Sequence, residues 1–416
     1  MLRSTLQAVR GLAPELRTLF VTTLLFRSGT MAFPFLAAYL MAENDYAAGQ
    51  VGAIVGAYGV GALAADVAAG AVLRYVSART VLIGGLVGNA ALMAVLPFAD
   101  SAGPLIAGTF IWGFFYEAFT PASYAETVRY SRESDRKIAF SCNRLAINVG
   151  MGIGPALGGL VFAWRPVGLF VINACVVTAT AVFLARKTSA GAAAEGEEGE
   201  KREEREKPAR GRLVAPTLKG ETRFWAIFVL ALPIHLAYAL PPTFLSAYVI
   251  HERGLDSLWA GVLFLVNAGV IVLFEVPLNT AMRNVGHFAA LLTGYLLAGS
   301  GFALMGLFGT GPALVGATLL WTAAEMIVFP ALLHYVSEVS DPSVTGRNMG
   351  LYSAGVNVGV IAVPQLCLPL AAGGHASTPW YVVGAAVGIA LVMIVAVRRN
   401  TCLWLTEPEA EPAPAP

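Results

Sequence analysis

Four ionisable residues sit near the middle of long apolar stretches: Arg27, Glu117, His235 and Glu325. A charge at the centre of a membrane helix costs about 2.5–3.5 kcal/mol, so such groups usually face a protein interior or a wet cavity. A carboxylate held partly away from water can take up and release a proton during a working cycle. Glu117 or Glu325 is expected to accept a proton from outside and give it up inside. Arg27 is expected either to hold that carboxylate ionised in one state or to bind an anionic group. His235 would relay protons or donate a hydrogen bond. For any one of the four, the alternative is a structural ion pair tying helices together. Asp66 and Glu275 lie one to two turns off centre. They are expected to form gating pairs between helices, with Arg144 as an available cation, or to carry protons. Glu126 and His334, near segment ends, are expected to be solvated.

The elements that position these residues are apolar segments of helical length. They fall near 18–41, 50–73, 79–98, 104–128, 138–162 and 166–186, then 223–249, 258–282, 287–308, 312–336, 347–371 and 379–398. About 20 residues at 1.5 Å each cross about 30 Å of hydrocarbon. Helices are the natural form because each satisfies its own backbone in lipid. Of the 416 residues, 57% are hydrophobic and 13% are charged. A soluble fold could not hide that much apolar surface, whereas in a bilayer it can stay exposed. The expected class is therefore an all-α membrane protein with twelve transmembrane helices and the lipid bilayer as its principal partner.

Lys and Arg set the expected orientation. Arg3, Arg10, Arg17, Arg74, Arg79, Arg129, Arg132, Arg136, Lys137, Arg283, Arg347, Arg398 and Arg399 flank one side, while loops 42–49, 99–103 and 309–311 have no basic residue. Arg165 and Arg253 depart from the pattern. Both termini are expected in the cytoplasm, with the protein in the cell's inner membrane. No cleavable signal is expected, because the first apolar run contains Arg27. Residues 187–220 contain GEEGEKREEREKPARGR, mixed charge without an apolar stripe, which predicts a flexible linker. The expected division is a six-helix bundle over 1–186, the linker over 187–220, a second bundle over 221–400 and a disordered tail over 401–416.

The two bundles are related by an internal repeat. At an offset of 209 residues, Tyr39 meets Tyr248, Gly52 meets Gly261, Asp66 meets Glu275 and Arg74 meets Arg283. Gly85 meets Gly294, Trp112 meets Trp321 and Pro121 meets Pro330; Asn148, Gly150 and Pro155 meet Asn357, Gly359 and Pro364. One shared offset over five successive segments points to duplication of a six-helix unit. An even count keeps both copies in the same orientation, about an axis along the membrane normal, with a solute site expected where they meet. The midplane ionisable groups break the repeat: Arg27 falls opposite Leu236, and Glu117 opposite Met326.

Twelve helices, a six-plus-six parallel repeat and a charged central linker resemble the major facilitator superfamily. The most specific local match is Gly150-Met-Gly-Ile-Gly154-Pro155-Ala-Leu-Gly158-Gly159, which resembles the GxxxGPxxGG motif of the family's drug:proton antiporter branch. Glycines at four-residue spacing let a neighbouring helix approach, and Pro155 removes a helix hydrogen bond. The loop motif GxxxDxxGRK is altered. Arg74 stands where the acid belongs, Ser77 replaces the second glycine, and Arg283 holds the matching place in the second half. Thr109 occupies roughly the place of the arginine found in drug antiporters. The resemblance implies that the first, fourth, seventh and tenth helices line a central cavity. Arg27, Glu117, His235 and Glu325 would supply one ionisable group each. Phe35, Tyr116 and Tyr238 are expected to join Arg27 and His235 in contacting substrate. Tyr39 and Tyr248 are expected at the outer interface.

Several classes are excluded or disfavoured. Net charge is +1, so there is no basic footprint for nucleic acid. No phosphate-binding loop and no nucleophile–base–acid pattern is present, so no enzyme activity and no cofactor is expected. Cys142, Cys175, Cys367 and Cys402 show no CxxC spacing and are expected to be unpaired thiols, with no metal site. The favoured reading is a monomeric, proton-coupled exporter of a small, partly apolar compound, working by alternating access. A symporter or facilitator importing a small polar solute is the second reading. A receptor or scaffold that does not transport is the third, and midplane charges speak against it.

Overall fold

The computed structural model describes residues 12–43, 46–132, 135–192, 221–282, 284–341, 344–372, 375–400 and 403–404. Arg3, Arg10, Arg283, Cys402, most of the linker and most of the tail lie outside them. Among the described residues the fold is all helical. The helices are α1 Pro14–Gly29, α2 Ala32–Glu43, α3 Ala48–Tyr75, α4 Ala78–Val95, α5 Ala102–Tyr130, α6 Arg136–Trp164 and α7 Gly168–Ala192. There follow α8 Thr222–Ala247, α9 Ser257–Ala281, α10 His287–Leu307, α11 Gly311–Val339, α12 Thr345–Ala372 and α13 Thr378–Val397.

Eleven helical segments among the described residues are long and apolar enough to cross a membrane. Helix α5 is 29 residues long but is not one of them. Glu117, Glu126 and Arg129, with several small polar residues, dilute its apolar content. The first span, α1 with α2, is interrupted at Thr30 and Met31. Pro34 explains the break, since its missing N–H and its ring would oppose the Thr30 carbonyl in a continuous helix. Local bonds replace the lost ladder: Thr30 N donates to Arg27 O at 3.2 Å, and Thr30 Oγ1 donates to Phe26 O at 3.0 Å.

The chain forms two compact units. The first draws on Met1–Arg212, Ala239–Val272 and Val360–Ala376. The second draws on Leu213–Tyr238, Leu273–Gly359 and Ser377–Pro416. Within the first, Thr109 is fully buried and its Oγ1 donates to Ile54 O at 2.8 Å, so it ties α5 to α3. Within the second, Phe302 stacks between Trp321 and Trp380, and Tyr295 donates to Leu230 O at 2.7 Å.

Candidate functional site

In the first unit, Arg27 of α1 is almost fully buried. Its guanidinium carbon lies 4.4 Å from the Tyr116 ring centroid and 5.6 Å from that of Phe26. Such a stack over an aromatic face holds a cation in a place where water cannot. Arg27 Nη2 donates to Thr120 Oγ1 at 2.7 Å. Glu117, one turn back on α5, lies within hydrogen-bonding reach of the same Thr120 hydroxyl and within electrostatic reach of Arg27. A hydroxyl can accept and donate at once. The three side chains therefore form a line, Arg27 to Thr120 to Glu117. Glu117 is half-buried, and Asp66, exposed on α3, is also within its electrostatic reach. Phe26 closes the other side, against Tyr116 at 5.3 Å and Phe119 at 4.6 Å between ring centroids.

The glycines of α6 make room for this arrangement. A Cβ on Gly150 would lie 2.5 Å from the Arg27 Cβ, and one on Gly154 would lie 2.9 Å from the Arg27 carbonyl oxygen. A Cβ on Gly158 would lie 3.0 Å from the Phe35 ring. Spacing of four residues puts all three glycines on one helix face. That face carries the backbone of α1 and α2 where Arg27 leaves it. A second face carries α9. A Cβ on Gly152 would collide with that of Ala268, and one on Gly159 would lie 2.8 Å from Ser257 O. Ser257 Oγ donates to Gly159 O at 2.9 Å.

The repeat recurs in contacts of the first unit. A Cβ on Gly52 would lie 2.7 Å from Pro364 O, and one on its repeat mate Gly261 would lie 3.3 Å from Pro155 O. Pro155 and Pro364 are themselves repeat mates. Bare glycine backbone thus faces a proline-bearing helix twice, once through α3 and α12 and once through α9 and α6.

In the second unit, His235 of α8 is buried, with both ring nitrogens lacking a hydrogen-bond partner among the described residues. Its ring lies parallel to Phe329 at 6.2 Å and edge-on to Tyr352 at 4.8 Å. A Cβ on Gly355 would lie 2.6 Å from His235 Nδ1. Tyr238, three residues on, donates to Trp321 O at 2.5 Å and meets the Phe329 ring at 5.0 Å. Glu325, half-buried on α11, is within electrostatic reach of Tyr238. The sequence-predicted residues of this unit therefore gather on facing stretches of α8 and α11.

The remaining predicted residues are spread more widely. Phe35 is fully buried against Phe162 and Gly158. Glu275 is half-buried on α9, and its carbonyl accepts from Asn279 Nδ2 at 2.9 Å. Arg74 and Arg144 are exposed, Arg144 within electrostatic reach of Tyr124. Tyr39 and Tyr248 are both buried, against Phe170 and Phe244. Glu126 corrects the expectation of a solvated acid: it is 1% exposed, because Arg79 reaches it at 3.2 Å from the start of α4 and Arg129 approaches at 3.9 Å. Thr120 is not conspicuous in the sequence, since a hydroxyl in a membrane segment is too common to stand out. An apolar crevice of about 160 Å³ bordered by Ala65, Val72, Phe114 and Pro121 carries no ionisable lining and is no part of either cluster.

Comparison with known proteins gives this geometry a family. The family model described as Major Facilitator Superfamily matches residues 18–364. The uncharacterized MFS-type transporter YqjV of Bacillus subtilis (strain 168) is 22% identical over 384 residues, covering 90% of each chain. YhjO, a second uncharacterized MFS-type transporter of the same organism, is 23% identical over 349 residues, 82% of each chain. Among solved structures, a POT family transporter in complex with 5-aminolevulinic acid superposes with a TM-score of 0.74 at 13% identity, over 92% of this chain and 95% of that one. The nucleoside transporter NupG gives 0.73 at 13% identity, over 93% of this chain and 100% of that one. At such identities the likeness is one of fold. The match of the family model over most of the chain, on a multi-pass helical fold, shows that the chain belongs to the Major Facilitator Superfamily of secondary transporters.

Proposed function

We propose that the chain is a proton-coupled exporter of a small, partly apolar compound, with Glu117 as its principal proton carrier. The observation that carries this reading is the line from Arg27 through Thr120 to Glu117. An ionised Glu117 is held by Arg27 through one hydroxyl. Protonation removes its charge and loosens that hold, so the buried guanidinium changes partner. A carboxylate whose charge decides where an arginine points can couple a proton to a conformational step. The aromatic rings of Phe26, Tyr116 and Phe119 around Arg27 offer an apolar wall for such a compound. Glu325 beside Tyr238 is the second candidate carrier. Asp66 and Glu275 have supporting roles in this reading. The glycine face of α6 favours export, through its resemblance to the antiporter motif.

The same proposal includes topology. Helix α5 counts as a twelfth span despite its acids, both termini lie in the cytoplasm, and the protein works as a monomer in the inner membrane. Bundles over 1–186 and 221–400 are joined by the linker 187–220, with 401–416 as a tail. The second reading, import of a small polar solute with protons, is favoured by one observation. Arg27 Nε and both His235 ring nitrogens lack partners among the described residues, and such donors and acceptors suit a polar ligand.

Purified protein in liposomes containing a pH-sensitive dye distinguishes the readings. Export by antiport predicts that adding a substrate on one side drives protons toward that side. Import by symport predicts that proton and substrate move together. Measurable substrate flux with no accompanying proton movement would falsify proton coupling.

A further inference from the structure

At one end of the second unit, two of the five histidines of the chain meet a carboxylate. His287 begins α10, while His334 and Glu338 lie one turn apart near the end of α11. His287 Nε2 is 2.7 Å from Glu338 Oε2, and His334 Nε2 is 3.4 Å from Glu338 Oε1. The imidazole centroids are 4.8 Å apart, and one ligand atom from each of the three residues falls within 4.8 Å of the others. None of these side chains belongs to the Arg27 or the His235 cluster.

We propose that His287, His334 and Glu338 bind a transition-metal dication of the zinc class. The ligand set is two imidazole nitrogens and one carboxylate, which suits zinc, cobalt or nickel rather than magnesium or calcium. Bonds of about 2.0–2.1 Å in a tetrahedron put neighbouring donor atoms about 3.3 Å apart. His287 Nε2 lies 2.7 Å from one oxygen of the carboxylate and His334 Nε2 lies 3.4 Å from the other, so both imidazoles already face it at about that range. The closing movement falls to His334, whose side chain is 66% exposed and has room to turn. His287 is the fixed ligand: its ring packs edge-on to Tyr335 at 5.4 Å, and Tyr335 stacks on Trp404 at 4.6 Å. Water fills the fourth position. A simple tie between α10 and α11 needs one histidine, whereas here each oxygen of a single carboxylate faces its own imidazole. The bound ion would clamp the start of α10 to the end of α11. The inference is independent of the proton pathway proposed above.

Equilibrium dialysis of the full-length, tag-free protein in detergent against zinc chloride tests it. One saturable zinc per chain is expected, with magnesium failing to compete. His334→Ala and Glu338→Gln, both at exposed positions, should each weaken binding about tenfold or more. His375→Ala, a histidine outside the cluster, should leave it unchanged. A protein with no saturable zinc site overturns the proposal. So does zinc binding of wild-type strength in His334→Ala, or a loss in His375→Ala equal to that in His334→Ala. Thermal melting of each variant without metal shows that the fold is intact.

Discussion

The Arg27 guanidinium lies against Tyr116 and donates to Thr120, and that pairing defines what each neighbour contributes. A hydrogen bond to a charged group is worth about 1.5–3 kcal/mol, and about 1.4 kcal/mol is a factor of ten in an equilibrium. Thr120→Val keeps the shape of the side chain and removes the hydroxyl. It is expected to lower coupled proton flux about tenfold or more while expression and melting temperature stay near wild type. Arg27→Lys keeps the charge but loses the planar stack on Tyr116, and is expected to lower coupled flux by a similar factor. Equal flux in either variant would remove that contact from the mechanism. At this scale part of the site is legible in the sequence. Arg27, Glu117, His235 and Glu325 stand out because an ionisable residue in an apolar run is conspicuous. Thr120 does not, since Thr22, Thr23 and Thr109 are equally plausible hydroxyls in the same segments. The His287, His334 and Glu338 cluster is invisible to local spacing, because its first ligand comes from another helix.

Helix α6 works through what it lacks. Gly150 and Gly154 allow α1 to approach until a Cβ would lie 2.5 Å from the Arg27 Cβ. Overpacking of this kind costs about 1–3 kcal/mol, so Gly150→Leu should lower the melting temperature and displace Arg27 from Thr120, reducing transport. Gly84 on α4 has nothing within 4 Å of where a Cβ would stand, so Gly84→Ala should leave melting unchanged or slightly raised. Paired melting curves of the two variants separate a packing role from a general intolerance to added bulk. The spacing of the α6 glycines is legible as a close-approach surface, but which helix it receives is not. Pro34 signals the break between α1 and α2, yet a hydropathy window averages across one proline and reads 18–41 as continuous. Glu126 departs from expectation for a related reason: position near a helix end suggests solvent, while Arg79, arriving from the preceding helix, buries it.

Over the whole molecule, the 209-residue repeat is matched by repeated contacts within the first unit, Gly52 with Pro364 and Gly261 with Pro155. Equivalent surroundings predict equivalent sensitivity. Gly52→Leu and Gly261→Leu should each lower melting temperature and transport, by amounts closer to each other than to Gly103→Leu, whose site is open. Divergent responses, measured in one detergent, would show that the two contacts are not equivalent in energy. The repeat itself is readable because helix-packing glycines, prolines and tryptophans keep their places when a bundle is duplicated. The ionisable groups break it in sequence and in surroundings alike: Arg27 sits in an aromatic and hydroxyl cluster, while His235 occupies an apolar one. Glu117 is the residue on which the proposed coupling depends. Its most direct test compares wild type and Glu117→Gln in liposomes, measuring both substrate exchange at equal pH and accumulation driven by a pH gradient. Exchange retained with pH-driven accumulation abolished is the predicted result. Accumulation at the wild-type rate in Glu117→Gln would contradict it.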